Sequence, residues 1–217
     1  MKKVPVIVGI LLSVSFIALG FVGIFNSNND IEFEKPSDKP VVLDYDINKL
    51  YNYVKGFSYK YISLDESTPS YYYSDLHQEY VTADMLSNEV IIRGAIKQIV
   101  TCDGIYANQI IPYDVVVSKV KEITGRDIQF DLVSVSMTMG ESEASYICDI
   151  NGCMPVGGSY CSTMPLTSDY IMVSHKLENN NVVIIDKDNN NQYQHIFTKD
   201  SSGNYYWVSS SILRNEQ

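Results

Sequence analysis

Basic side chains are scarce in this chain: Lys and Arg number 16 against 26 Asp and Glu, for a formal net charge of −10. Phosphate contacts need clustered cations, so nucleic acid is not an expected partner. Histidine is scarcer still, with only His77, His175 and His195. No G-x-S-x-G, H-E-x-x-H or P-loop sequence occurs, which removes the commonest local signatures of serine hydrolases, zinc peptidases and nucleotide hydrolases. No internal repeat is present, so a solenoid or propeller is excluded.

Charge of either sign is missing from Val4 to Phe25, "VPVIVGILLSVSFIALGFVGIF". About 20 apolar residues rising 1.5 Å each cross a hydrocarbon core of roughly 30 Å. Residues 1-25 therefore read as a signal-anchor or transmembrane helix that partners the lipid bilayer through residues 4-25. A cleaved secretory signal is the competing reading, with Ala18-Leu19-Gly20 as its cleavage site, but the apolar run continues past it through Phe25. Lys2 and Lys3 precede the run while Asp30, Glu32 and Glu34 follow it. Basic residues stay on the cytoplasmic side. The expected location is thus the cell membrane, single-pass, with the N-terminus cytoplasmic and the C-terminal domain extracytoplasmic. Removing Lys2 and Lys3 leaves 14 basic against 26 acidic residues outside, a net −12. Such a surface favours solubility and disfavours docking to an anionic polymer.

Residues 26-44 are polar, hold Pro36 and Pro40, and read as a tether. Residues 45-217 then form the expected extracytoplasmic domain, large enough to bury its own core. In its first half, Ile47, Leu50, Tyr51 and Val54 recur at helical spacing up to Gly56. A second helix is expected from near Thr82, with Met85, Ile92, Ala95, Ile96 and Ile99 on its apolar face and Gly94 weakening it by roughly 1 kcal/mol. The third is marked by Pro112 at its first position, Asp114 in the first turn, Lys119 and Lys121 late, and Gly125 as the stop. From Asp127 the apolar period falls to two. "DYIMVSHKL", "NVVIID", "QYQHIFTK" and "NYYWVSSSIL" follow one another, separated by "ENNN", "DNNN" and "DSSGN". Asn and Gly tolerate the positive φ of tight hairpins. The expected fold is α+β: an N-terminal transmembrane helix, then a helical half packed on a C-terminal antiparallel β-meander.

Four cysteines remain to be placed: Cys102, Cys148, Cys153 and Cys161. The last three are spaced C-x4-C and C-x7-C, without the paired C-x2-C elements of a structural zinc site and with the histidines far away in sequence. No metal or other cofactor is expected. An even cysteine count outside the cytoplasm reads as disulfides instead. Four cysteines permit three pairings: Cys148 and Cys153 flank the turn-like "DING" and could face each other across a hairpin, Cys102 then pairing with Cys161, while pairing of Cys161 within its own segment is the alternative.

Two stretches carry enzymatic signals beside structural ones. "IVTC", ending at Cys102, resembles the Thr-Cys pair at the nucleophile of sortases, a likeness of a few residues. That resemblance implies a His well upstream and an Arg shortly after the cysteine, whereas His77 stands close and Arg126 lies in another segment. Ser118 and Lys121 form S-x-x-K without the companion motifs of penicillin-binding enzymes, and read as a solvated helix face. Asp186, Asp188 and Asn190 begin like a calcium loop but lack its sixth-position Gly and twelfth-position Glu, so a hairpin turn is the expectation. Tyrosine crowds residues 51–80, and Tyr71, Tyr72 and Tyr73 are the expected ligand-contact aromatics if the cluster binds at all. The combined expectation is a non-enzymatic binding or interaction module at the cell envelope with an unknown protein or glycan ligand. The alternatives are an extracytoplasmic cysteine-dependent enzyme using Cys102 and a purely structural envelope component.

Overall fold

The computed structural model describes residues 43–214 except 62–70, 103, 105, 107, 140–141 and 158–167. The expected anchor, residues 1-25, and most of the expected tether, residues 26-44, lie outside the described residues, and no helix among those described is long and apolar enough to cross a membrane. From Leu43 the chain packs as one unit, an α+β arrangement of three helices and antiparallel sheets.

Helix α1 (Ile47–Gly56) starts at Asp46, whose carboxylate accepts the Asn48 and Lys49 amides at 2.9 and 3.2 Å and so satisfies donors the helix cannot pair itself. It buries Leu50, Tyr51, Tyr53 and Val54, three of these being members of the expected apolar face. Strands β1 (Ser58–Tyr61) and β2 (Tyr71–Ser74) pair antiparallel, and β3 (Tyr80–Thr82) follows.

The second helix begins later than its sequence suggests. Ala83–Met85 is a single 3₁₀ turn, Leu86 is extended, and Ser87 accepts the Val90 amide to start α2 (Asn88–Lys97) afresh. Met85 is consequently 61% exposed instead of lying on the apolar face. Gly94 keeps its place because the Phe57 ring rests on it: a Cβ there would sit 3.0 Å from the ring edge. After α2 the backbone widens into a π-helical turn, Gln98–Cys102, where the Thr101 hydroxyl donates back to the Lys97 carbonyl.

Strand β4 (Ile111–Pro112) leads into α3 (Tyr113–Thr124). Pro112 sits at the cap position, one residue before its expected place, and Gly125 closes the helix at φ 70°, its amide bonding the Lys121 carbonyl at 2.8 Å.

The second half forms two meanders where one was expected. β5 (Val133–Met139), β6 (Ser142–Asp149) and β7 (Gly152–Gly157) make a sheet of order β4-β7-β6-β5. β8 (Ile171–Glu178), β9 (Asn181–Lys187), β10 (Gln192–Lys199) and β11 (Tyr205–Leu213) make another, of order β3-β11-β10-β9-β8. The outer edge of β7 is occupied by β4, Ile111 opposite Cys153 and Pro112 opposite Gly152. Only glycine permits that approach: Gly152 has φ 131°, and a Cβ would stand 2.3 Å from the Ile111 carbonyl oxygen.

The expected hairpins are present. Asn179 and Asn180 both take positive φ, 51° and 66°, between β8 and β9. Asp188 accepts the Asn190 and Asn191 amides at 2.7 Å each. The helices and the inner sheet faces enclose a core that includes Phe57, Ile92, Ile96, Ile123, Tyr146, Ile184, Phe197 and Trp207, all 2% exposed or less.

Candidate functional site

Period-two alternation decides where the polar site lies. On β9, Val182, Ile184 and Asp186 face the core, and on β10 so do Phe197, His195 and Tyr193, with Tyr193 opposite Asp186 and His195 opposite Ile184. An aspartate and a histidine are thus set into an apolar face on neighbouring strands. His77, carried in the turn after β2 beside fully buried Leu76, reaches the same point. The side chains of His77, Asp186 and His195 are 1%, 0% and 0% exposed.

His77 Nε2 stands 3.0 and 2.9 Å from Asp186 Oδ1 and Oδ2. A carboxylate only accepts, so this nitrogen donates; the other ring nitrogen, Nδ1, is buried without a partner. His195 Nε2 lies 3.0 Å from Asp186 Oδ1 but out of line for a hydrogen bond, and it too is buried without a partner. Its Nδ1 is held by Ser210 Oγ at 2.6 Å, and that oxygen accepts the Trp207 indole N–H at 2.9 Å. The Tyr51 hydroxyl, between Asp186 Oδ2 at 3.3 Å and the Tyr170 carbonyl at 3.0 Å, completes the carboxylate's surroundings. The Tyr170 ring stacks on His77 with centroids 3.4 Å apart, and Tyr193 meets it edge-on at 4.7 Å.

Burial works to raise the Asp186 pKa, but the two imidazoles outweigh it and hold the carboxyl down at about 2. Burial lowers that of His77, favouring the neutral ring despite Asp186. The donor atoms of the three residues lie within 4.8 Å of one another. Two imidazoles and a carboxylate form a set suited to a transition-metal ion. Hydrolysis is a poorer fit: Asp186, His195 and Ser210 follow one another as in an acyl-transfer triad, yet Ser210 is 1% exposed and its Oγ is taken up by Trp207 and His195.

The residues singled out in the sequence are scattered. Cys148 and Cys153 are disulfide-bonded across β6 and β7, as their turn-like spacing suggests. Cys161 and the side chain of Cys102 lie outside the described residues, and so does their proposed bridge. His77 is engaged by Asp186, and Arg126 donates to the Ala83 and Leu86 carbonyls at 2.7 and 3.1 Å; both groups that the sortase resemblance requires are committed elsewhere. Ser118 and Lys121 line a surface cleft, where the Lys121 ammonium is bound to Asp127 at 2.7 Å. Asp186 turns inward away from the partial calcium loop. Of the tyrosine trio, the side chains of Tyr71 and Tyr72 lie outside the described residues. Tyr73 is 44% exposed and stacks on Tyr59 at 5.7 Å, with the Arg93 guanidinium 4.9 Å from the Tyr59 ring.

Short spacings in the sequence place Asp186 only in the partial calcium loop and do not join it to His195. Their signal was a polar residue in an inward position of each strand. His77 gave none, standing 109 residues from Asp186. No protein-family profile matches the chain, and no curated protein or solved structure is significantly similar to it.

Proposed function

We propose that this chain is a membrane-anchored, non-enzymatic interaction module of the cell envelope, with its α+β domain outside the membrane and an extended polypeptide as its ligand. The observation that carries the reading is β8. This strand is eight residues long, stands at the end of its sheet, and exposes Ile171, Val173 and Leu177 at 64%, 48% and 51%. Among the described residues no strand pairs with its outer edge. Natural proteins blunt such edges, because open backbone donors and acceptors recruit another strand. Here the defences are Lys176, ion-paired with Glu178 at 2.8 Å, and an irregularity between Met172 and Ser174. Strand addition would supply affinity through main-chain hydrogen bonds, with the apolar side chains giving register.

The uncharged run of residues 4-25 supports the anchor, and the two lysines before it support the orientation. The burial of Ser210 and the engagement of His77 weigh against the enzymatic alternatives. A photo-crosslinking side chain placed at Leu177 of the full-length protein in intact cells tests the ligand site. A defined polypeptide adduct, absent when the same group replaces exposed Gln129, is the expected result. Equal labelling from both positions overturns the proposal. An impermeant amine reagent that leaves residues 45-217 unlabelled in intact cells, while labelling them after lysis, refutes the orientation.

A further inference from the structure

We propose that His77, Asp186 and His195 bind one divalent transition-metal ion of the zinc class, in a closed site that fastens the turn after β2 to the face of the β8–β11 sheet. This goes beyond the interaction-module reading and does not depend on it.

Three observations converge. The first is the orphaned nitrogen: His195 Nε2 is fully buried, has no hydrogen-bond partner, and stands 3.0 Å from a carboxylate oxygen toward which no N–H is aligned. A protonated Nε2 there lacks a partner, and an unprotonated one sets its lone pair against an anion. An electrophile between the two atoms resolves both conditions. The second is the support behind the ring. Metal-bound imidazoles characteristically donate their other N–H to a fixed acceptor, and His195 Nδ1 meets Ser210 Oγ, itself fixed by Trp207. The third is charge. The Asp186 carboxylate is fully buried, and a buried charge is costly unless a cation meets it.

The donor set selects the ion class. Two nitrogens and one carboxylate oxygen suit zinc and its neighbours, whereas calcium and magnesium take oxygen ligands. Tetrahedral bonds of about 2.1 Å place ligand atoms about 3.4 Å apart. The shortest Asp–His separations, 2.9 and 3.0 Å, are slightly under that span, and the three-atom set extends to within 4.8 Å. An arriving ion would draw the imidazoles inward while parting each slightly from the carboxylate. His77 would bind through Nε2 after its proton shifts to Nδ1, with no net proton gained or lost. The burial that shuts out a substrate makes the site structural.

The test uses tag-free full-length protein in detergent micelles, stripped with a chelator and titrated with Zn²⁺ alone. One equivalent should bind, with Tm rising on the order of 5–10 °C at ion concentrations about 100 times the Kd. Histidine-ring ¹⁵N spectra locate the ion without mutation. Signals from His77 and His195 should move, while His175, whose Nδ1 pairs with the Tyr45 hydroxyl at 3.1 Å, should stay. Asp186→Asn should fold, by circular dichroism, and lose the zinc-induced Tm rise. If that variant fails to fold, the wild-type spectra still decide. No binding, binding that leaves the His77 and His195 rings unmoved, or an unchanged zinc response in folded Asp186→Asn overturns the proposal.

Discussion

Glu122 joins α1 to α3, and substituting it with glutamine gives a direct measure of how much polar contact between helices contributes. Its carboxylate accepts the Tyr53 hydroxyl at 2.6 Å and pairs with Lys49 at 2.8 Å and Lys119 at 2.6 Å. Burial pushes the carboxyl pKa up, but the Lys119 and Lys49 ammoniums and the Tyr53 hydroxyl prevail and bring it down to about 2. Set against an ordinary value of 4.5, this puts a ceiling of roughly 3 kcal/mol on the contribution. The side chain is 32% exposed, so solvent screening reduces the expected contribution to about 1–2 kcal/mol. The sign follows from linkage. The folded carboxylate stays ionised down to about pH 2, whereas the unfolded one binds its proton near pH 4.5. Its stabilisation is therefore complete above pH 4.5 and is lost as pH falls toward 2. Urea unfolding of wild type and Glu122→Gln at a series of pH values should show a gap of about 1–2 kcal/mol at pH 7 that narrows below pH 4.5. A gap that is absent at neutral pH, or constant down to the lowest pH at which both proteins fold, refutes the reasoning.

Gly94→Ala should destabilise the domain by about 1 kcal/mol in urea, because overpacking against Phe57 outweighs the gain in helix propensity; a stabilised variant would show that the ring yields freely. Gly152→Ala should cost about 2–3 kcal/mol, from positive φ combined with the Ile111 carbonyl, and accelerate hydrogen exchange in β4 without doing so in β9 and β10. The Cys148–Cys153 bridge is fully buried, so both cysteines should escape alkylation by intact mass under native reducing conditions. Replacing both with alanine should remove about 2 kcal/mol of stability, as expected for a short closed loop. Labelling of this pair in the folded protein would contradict the burial.

Local patterns in the sequence were enough for the elements that depend on neighbours in the chain. The Gly125 stop, the Asn179-Asn180 turn and the facing of Cys148 and Cys153 each follow from a few adjacent residues, whose φ or hydrogen bonds are set within one turn. The late start of α2 was less legible, because an apolar period runs through Ala83–Met85 and only the extended Leu86 and the Ser87 cap interrupt it.

What the chain could not disclose by itself was which edges meet. Two sheets form where one meander was expected, and Gly152 lets β4 occupy the edge of β7, a contact spanning 42 positions from Ile111 to its partner Cys153. The His77–Asp186–His195 cluster is of the same kind. Strand alternation could mark Asp186 and His195 as inward polar residues, but the arrival of His77 depends on packing across 109 positions. Sequence period determines the direction in which a side chain points, and only the assembled core determines what stands opposite it.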